Sequence, residues 1–242
     1  MTPELFKLMA DAQQAHWWFR GRRAVLKQLI ENAGLAPQPE ILELGCGTGS
    51  NLPMLSAYGR VTAVELDDFA REYARATTGI DVHPGALPEP LPAFSQPFDL
   101  IGMFDVLEHI QAHGPALERV RDLLAPNGRL LVTVPAYQWL YGAHDRLHHH
   151  HRRYTAQSLR TLAEGAGLKV LRVGYFNTLL FPLAVLVRLA SAIAPGDSAP
   201  GVRTPPAVIN RLLFSTFALE AKVVGRALFP FGTSLAAVLT PA

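Results

Sequence analysis

Short apolar runs and amphipathic segments alternate between Glu40 and Pro135, the pattern of strands and helices that follow one another in parallel βαβ units. The strand-like runs are EILEL (Glu40 to Leu44), VTAVEL (Val61 to Leu66), a short piece near Ile80 to His83, FDLIGMF (Phe98 to Phe104) and RLLVTVP (Arg129 to Pro135). Punctuation separates them. Ser50 is placed to cap a helix running to about Leu55, Asp67 or Asp68 to cap DDFAREYARA, and Pro126-Asn127-Gly128 to stop PALERVRDLLA. Downstream, TAQSLRTLAEGAG predicts a helix capped by Thr155, and KVLRVGYF predicts a sixth strand.

The last third departs from this rhythm. YFNTLLFPLAVLVRLASAIA, Tyr175 to Ala194, is almost continuously apolar, but Asn177, Pro182 and Arg188 interrupt it. It predicts a helix buried in the protein or covering a pocket, with contact at a membrane surface as the alternative. PGDSAPGVRTPP reads as a loop, Ala207 to Leu228 as a long amphipathic segment and FGTSLAAVLT as a last strand. Neither an internal repeat nor a separate C-terminal domain is visible. The expected organisation is one domain over 1–242: a helical N-terminal segment (1–35), a core (36–176), and a helical segment with the last strand (177–242).

Length and composition narrow the function only coarsely. A chain of 242 residues, 49% of them hydrophobic, can bury one substantial core. A formal charge of +2 gives no general attraction to nucleic acid. The single cysteine, Cys46, excludes an intramolecular disulfide and a four-cysteine zinc cage. MTPELFKLMADAQQ has no basic-then-apolar signal pattern, so a cytoplasmic location is expected.

The residues richest in chemistry are ELGCGTG, Glu43 to Gly49, at the carboxyl end of the first strand. Open parallel sheets bind ligands at such ends, and glycines let backbone approach a ligand closely. Glu65 follows at the end of the second strand, twenty positions beyond Gly45. A carboxylate there can accept both hydroxyl hydrogens of an adenosine ribose; the plainer reading is a helix cap. The spacing is GxGxG, with Ser50 where the dinucleotide fingerprint has glycine, and no GxxxxGK[ST] is present. Binding of NAD by an oxidoreductase is therefore disfavoured.

As a set, ELGCGTG, Glu65, FDLIGMFDVLEHI and LLAPNGRLLVTVPA resemble the successive motifs of class I S-adenosylmethionine-dependent methyltransferases, over roughly residues 16 to 176. The chain is more closely similar to bacterial small-molecule methyltransferases carrying HWWFxGRR, DVLEHI and a VPAY…HD…H-RRYT segment. The resemblance implies a Rossmann-like, doubly wound α/β fold. Its sheet would have seven mostly parallel strands with the last antiparallel, under an N-terminal helical lid and with a C-terminal helical insertion. It implies S-adenosyl-L-methionine as cofactor and S-adenosyl-L-homocysteine as product. Gly45, Cys46 and Gly47 would line the methionine part, Glu43 would orient the loop or reach the ammonium through water, and Glu65 would hold the ribose. Leu66, Ala86 and Leu87 would border the adenine, although many relatives carry an aspartate where Ala86 stands. Phe104 and Asp105 would pass beside the methionine portion. For Leu66, Leu87 and Phe104, plain core packing is the alternative.

Two clusters bear on the acceptor. In HWWFR, Trp18 and Phe19 could exclude water while Arg20 pairs with the cofactor carboxylate; the alternative is a helix whose aromatics merely dock on the sheet. His109, after strand four, is a candidate base with Glu108 to orient it, or else a packed loop residue. AHDRLHHHHRRYT, Ala143 to Thr155, follows strand five and supplies His144 and Asp145 as further base or acceptor contacts. Its arginines, Arg146, Arg152 and Arg153, would meet an anionic acceptor or form a solvated face. Four consecutive histidines cannot all face one way in regular structure, so no metal site is assigned; a His144/Asp145/His148 set has no diagnostic spacing. The expected activity is methylation of a small molecule, anionic or apolar, with glycan- or lipid-linked metabolites among the candidates, at oxygen ahead of nitrogen or carbon. A non-catalytic cofactor-binding module is the alternative, and nucleic acid is not an expected partner.

Overall fold

The structure is a computed structural model that describes residues 10, 12–193 and 204–242, with side chains of 189–193 excepted. Its seven strands are β1 (Glu40–Leu44), β2 (Arg60–Glu65), β3 (Val82–Pro84), β4 (Phe98–Phe104), β5 (Leu124–Pro135), β6 (Leu168–Phe176) and β7 (Ser234–Pro241). The helices are α1 (Trp17–Glu31), α2 (Leu52–Leu55), α3 (Asp68–Thr78), α4 (His113–Leu123), α5 (Ala143–Leu147), α6 (Ala156–Gly165), α7 (Phe181–Ile193) and α8 (Ala207–Val224). The strands form one sheet in the order β3-β2-β1-β4-β5-β7-β6. Its first five positions are parallel, and β7 runs antiparallel between β5 and β6.

Both faces of the sheet are covered, which explains why the central strands β1 and β4 are buried along nearly their whole length. Successive side chains point to opposite faces. Leu42, Ile101 and Leu130 therefore join the core beneath α4 and α6, while Ile41, Leu100 and Leu131 join the one beneath α1 and α8. Glu43 shares the face of Ile41 by the same alternation, which places a carboxylate under α1. The two helices approach closely at Gly21, where an added Cβ would lie 2.2 Å from the Phe217 ring. That contact fixes which face of α1 is turned to the sheet.

Several expectations about element ends are corrected. Ser50 caps nothing; Asn51 is the residue before the single turn of α2, and its side chain turns instead to Glu43. Asp67 caps α3 through Ala70 N (3.0 Å), and Thr155 exchanges hydrogen bonds with Ser158 at the start of α6. The Pro126-Asn127-Gly128 turn lies inside the run of β5, where the pairing with β4 is irregular. Tyr175 and Phe176 end β6, so the apolar stretch divides between a strand and α7. The helix is not buried as expected: Leu183, Leu186 and Val187 stand exposed, while Phe181 meets the aromatic rings of Tyr137, Trp139 and Phe231 and Arg188 reaches Asp145. Most of PGDSAPGVRTPP lies outside the described residues. Among the described residues no helix is long and apolar enough to cross a membrane.

Candidate active site

Strand order reverses between β1 and β4, and the crevice outside the carboxyl ends at such a switch point is where open parallel sheets bind ligands. The loop after β1 contains three glycines at positive φ, Gly45 (+71°), Gly47 (+55°) and Gly49 (+80°). A Cβ on Gly45 would stand 2.7 Å from Val106 Cγ2, whereas one on Gly47 would meet nothing within 4 Å. Gly45 thus lets the loop settle against the turn after β4, and Gly47 leaves open space above it among the described residues. Glu65 braces this arrangement. Its Oε2 accepts from Gly47 N (2.7 Å) and its Oε1 from Asp67 N (2.9 Å), so each oxygen keeps a lone pair for a diol. Beside it Leu66 is 69% exposed, an apolar surface suited to a flat ring. Ala86 N bonds Pro90 O (2.7 Å), closing the loop after β3, and Leu87 packs half-buried on the core. Cys46 is buried, and burial, followed by Glu43 and Glu65, pushes its thiol far up. It contributes backbone rather than a thiolate.

Beneath the loop Glu43 is buried and accepts from Asn51 Nδ2 (2.7 Å), with its other oxygen unpartnered. Burial raises its pKa to about 7, against the lowering effects of Asn51 and Arg22. The N-terminal segment reaches the same loop: Thr48 Oγ1 donates to Gln13 Oε1 (2.7 Å). From α1, the buried Arg22 pairs with Asp105, a residue at φ +59° directly after β4. The Arg22 guanidinium also lies 5.0 Å from the Trp18 ring centre, and its Nε has no partner.

Arg20 is placed otherwise than the sequence suggests. Its guanidinium stacks 4.1 Å over the Phe214 ring of α8, and Arg22, two positions on, is the arginine at the crevice. Phe104 is a core residue: it is buried beneath α1 and its ring folds over Gly102. The side chain therefore serves packing, and Asp105 alone of that pair faces Arg22. Trp18 keeps a place beside Arg22. Gln13, Arg22 and Asn51 are the additions that sequence reading missed; the GRR triplet was the only local signal for any of them.

Glu43 allows a test of this geometry through pH. Its folded pKa lies above its unfolded value, so folding takes up a proton between the ordinary carboxylate range and about 7. Stability contributed by that proton is present at low pH and is lost as pH rises through the folded value. Relative to Glu43→Gln, the wild type should lose on the order of 3 kcal/mol between pH 4.5 and 7.5. Paired urea melts across this range check it; parallel curves would contradict a buried, undercompensated carboxylate.

The histidine-rich segment folds around one carboxylate. Asp145 is fully buried and accepts from Gly142 N (2.8 Å), His150 Nδ1 (2.9 Å), and Arg153 Nε and Nη2 (2.8 and 3.0 Å). Arg188 of α7 stands 3.5 Å away. Burial alone would raise the Asp145 carboxyl, but hydrogen bonds from His150 and Arg153 hold it well below the usual carboxylate range. It is an ionised anchor with its lone pairs engaged, not a base. The His144 ring lies tilted against that of His148, with ring centres 4.4 Å apart. His109 sits at the rim of the turn Leu107–His109, its ring 4.6 Å from that of His150. Desolvation of the ring, then its neighbour His150, pushes the His109 pKa down to about 4, although one edge of the residue stays exposed. At neutral pH the ring is uncharged and has a lone pair to offer. Glu108 beside it is fully buried, and burial followed by Asp105 raises its pKa well above the usual range.

Residues 17–173 match the family model described as a methyltransferase domain. The chain belongs to the class I S-adenosylmethionine-dependent methyltransferase family. It is 28% identical over 162 residues to a probable S-adenosylmethionine-dependent methyltransferase of Mycolicibacterium smegmatis, covering 65% of this chain and 61% of that protein. It is 29% identical over 156 residues to the trans-aconitate 2-methyltransferase of Deinococcus radiodurans, covering 62% and 57%. The matched region thus spans about three fifths of these relatives. Among solved structures, the Haloferax volcanii protein held in complex with the Trm112 methyltransferase activator superposes with a TM-score of 0.61 at 16% identity, over 96% of this chain and 92% of that one. At that identity the likeness concerns the fold alone. The seven-stranded order with an antiparallel β7 and the family membership agree with the sequence expectation. The crevice residues fit the family's cofactor: a diol acceptor at Glu65, an exposed apolar Leu66 and open space over Gly47.

Proposed function

We propose that this chain is a single-domain enzyme that transfers a methyl group from S-adenosylmethionine to a small-molecule acceptor, with oxygen the favoured acceptor atom. The observation that carries this reading is the clasp of Glu65 on Gly47 beside an exposed Leu66. When bound, the cofactor supplies an electrophilic methyl group on sulfur. The chain's residues do the positioning. Glu65 accepts the ribose hydroxyls, Leu66 and Leu87 flank the adenine with the Ala86 loop, and the Gly45–Gly47 backbone follows the methionine part. Arg22 takes the carboxylate role first given to Arg20, held by Asp105 and covered by Trp18. Glu43 fixes the loop through Asn51 and lies within electrostatic reach of Arg22.

The acceptor enters on the side of β4 and β5, where His109 faces His150. His109 contacts the acceptor oxygen, His144 lies further out, and Asp145 acts indirectly by holding His150 and Arg153. Exclusion of water and fixed orientation supply much of the rate in such a displacement. A relative named for trans-aconitate, a small organic acid, supports a small acceptor. The exposed Leu183, Leu186 and Val187 of α7 support an apolar portion of the acceptor or a membrane surface near the site.

The test is methyl transfer from radiolabelled S-adenosylmethionine to panels of hydroxylated, carboxylated and amine metabolites. Label is expected in oxygen acceptors, and His109→Ala should lower kcat at least about 100-fold, the usual size of a lost proton-handling or acceptor-orienting group. Binding of NAD in place of S-adenosylhomocysteine, or transfer to RNA alone, would overturn the reading.

A further inference from the structure

We propose that Glu108, His109 and His150 form a binding site for a divalent transition-metal cation of the zinc class, with one coordination position open to the acceptor. The inference deepens the methyl-transfer reading and rests on it only for the use of that open position. One ligand atom from each of the three side chains lies within 4.8 Å of the others. A tetrahedral ion with bonds of about 2.1 Å needs its ligand atoms roughly 3.4 Å apart, so small side-chain rotations close the set.

Glu108 supplies the strongest observation. It is 0% exposed, and among the described residues neither carboxylate oxygen has a hydrogen-bond partner. An unpaired buried carboxylate is costly, whereas a cation satisfies both its charge and its lone pairs. The nearby arginines do not do so. Arg22 is committed to Asp105 and Arg153 to Asp145.

His150 is presented as a metal-binding histidine is. Its side chain is 10% exposed, and Nδ1 donates to Asp145 Oδ1 at 2.9 Å. That bond fixes the tautomer and leaves Nε2 with its lone pair outward, the carboxylate–histidine–metal arrangement that orients ligands in many sites. The backbone is pinned as well. His151 N donates to Glu108 O (2.8 Å), His150 N to Asp145 O (2.9 Å), and Tyr141 OH to His150 O (2.8 Å). Segments after β4 and β5 are thereby joined at the proposed ligands themselves. His109 completes the set from the turn that also holds Glu108, its ring perpendicular to that of His150; with the ion bound, His109 meets the acceptor oxygen through the ion rather than as a free base.

Two imidazoles and a carboxylate suit zinc, iron(II), cobalt(II) or manganese(II) better than calcium or magnesium, which favour all-oxygen shells. Three protein ligands leave a place for an exogenous oxygen. The ligand class that fits it is a hydroxyl or carboxylate acceptor. His144, Asp145 and His148, the set considered from sequence, do not provide this site, because Asp145 is occupied by Gly142, His150 and Arg153.

The full chain, stripped with chelator, is titrated with zinc(II) by calorimetry and with cobalt(II) by visible absorption. One equivalent should bind with micromolar or tighter affinity, and cobalt should give the intense bands of a low-coordinate site. Glu108→Gln and His150→Ala should each weaken binding at least 100-fold, while replacing His149 and His151 together should change it less than threefold. Absence of stoichiometric binding would overturn the site, as would binding that survives both ligand variants or is lost with His149 and His151. Titration of the same wild-type samples with S-adenosylhomocysteine separates the two ideas. Cofactor binding without metal binding refutes this site alone, and metal binding without cofactor binding refutes the methyl-transfer reading alone.

Discussion

Glu65→Gln should bind S-adenosylhomocysteine about 100-fold more weakly than the wild type while remaining folded. The carboxylate has two tasks in the crevice. It braces the loop by accepting from Gly47 N and Asp67 N, and it keeps a lone pair on each oxygen for the ribose hydroxyls. A hydrogen bond to a charged group contributes about 1.5–3 kcal/mol. Two such bonds, weakened together when the charge is removed, correspond to roughly 3 kcal/mol, or about two powers of ten in Kd. An amide also presents N–H to one backbone donor, so the Gly47 loop loses part of its support. Calorimetric titration measures the affinity, and an unchanged melting temperature shows that the loss is local. A fall of less than fivefold would mean that the carboxylate only caps α3.

Asp145→Ala should destabilise the protein by about 3–5 kcal/mol, the cost of removing one partner from a buried ion pair. Arg153 donates to this carboxylate through two nitrogens, with only 6% of its own side chain exposed. Without Asp145 that charge is left buried and uncompensated. Gly142 N and His150 Nδ1 lose their acceptor in the same step. In a chain of this size each kcal/mol shifts Tm by about 2–4 °C, so a fall of roughly 10 °C is expected. Asp145→Asn, which keeps an acceptor but not the charge, should lie between. If Asp145→Ala melted within 1 °C of the wild type yet lost turnover, the catalytic role first read from the sequence would be restored.

The sheet and its cofactor loop were legible because local rules act alone there. Short apolar runs, glycines at a strand end and an acid at the next strand end need no knowledge of the rest of the chain. The arginine of the crevice was not legible in this way. Residues 20 and 22 lie two steps of about 100° apart on a helix, on nearly opposite faces. Which of them meets Asp105 is decided by the docking of α1 on α8 at Gly21 and Phe217, a contact nearly two hundred positions apart in sequence. Asn51 and Glu43, and Gln13 and Thr48, are likewise pairings between segments that no local pattern announces.

The histidine run shows the limit most sharply. His148 to His151 are chemically alike, and His149 adopts φ +56° in an irregular segment. No periodicity can select His150 from them. Asp145, His151 N and Tyr141 OH select it by fixing the backbone and one ring nitrogen. The apolar run through α7 failed for the opposite reason. Its composition signals burial, yet Leu183, Leu186 and Val187 of α7 stand exposed.

A crystal structure of the complex with S-adenosylhomocysteine tests the central claim most directly. The expected result is a ligand in the crevice between the ends of β1 and β4, with both ribose hydroxyls on Glu65, the adenine against Leu66 and the carboxylate at Arg22. A ligand bound elsewhere, or one in this crevice with its ribose free of Glu65, would contradict it.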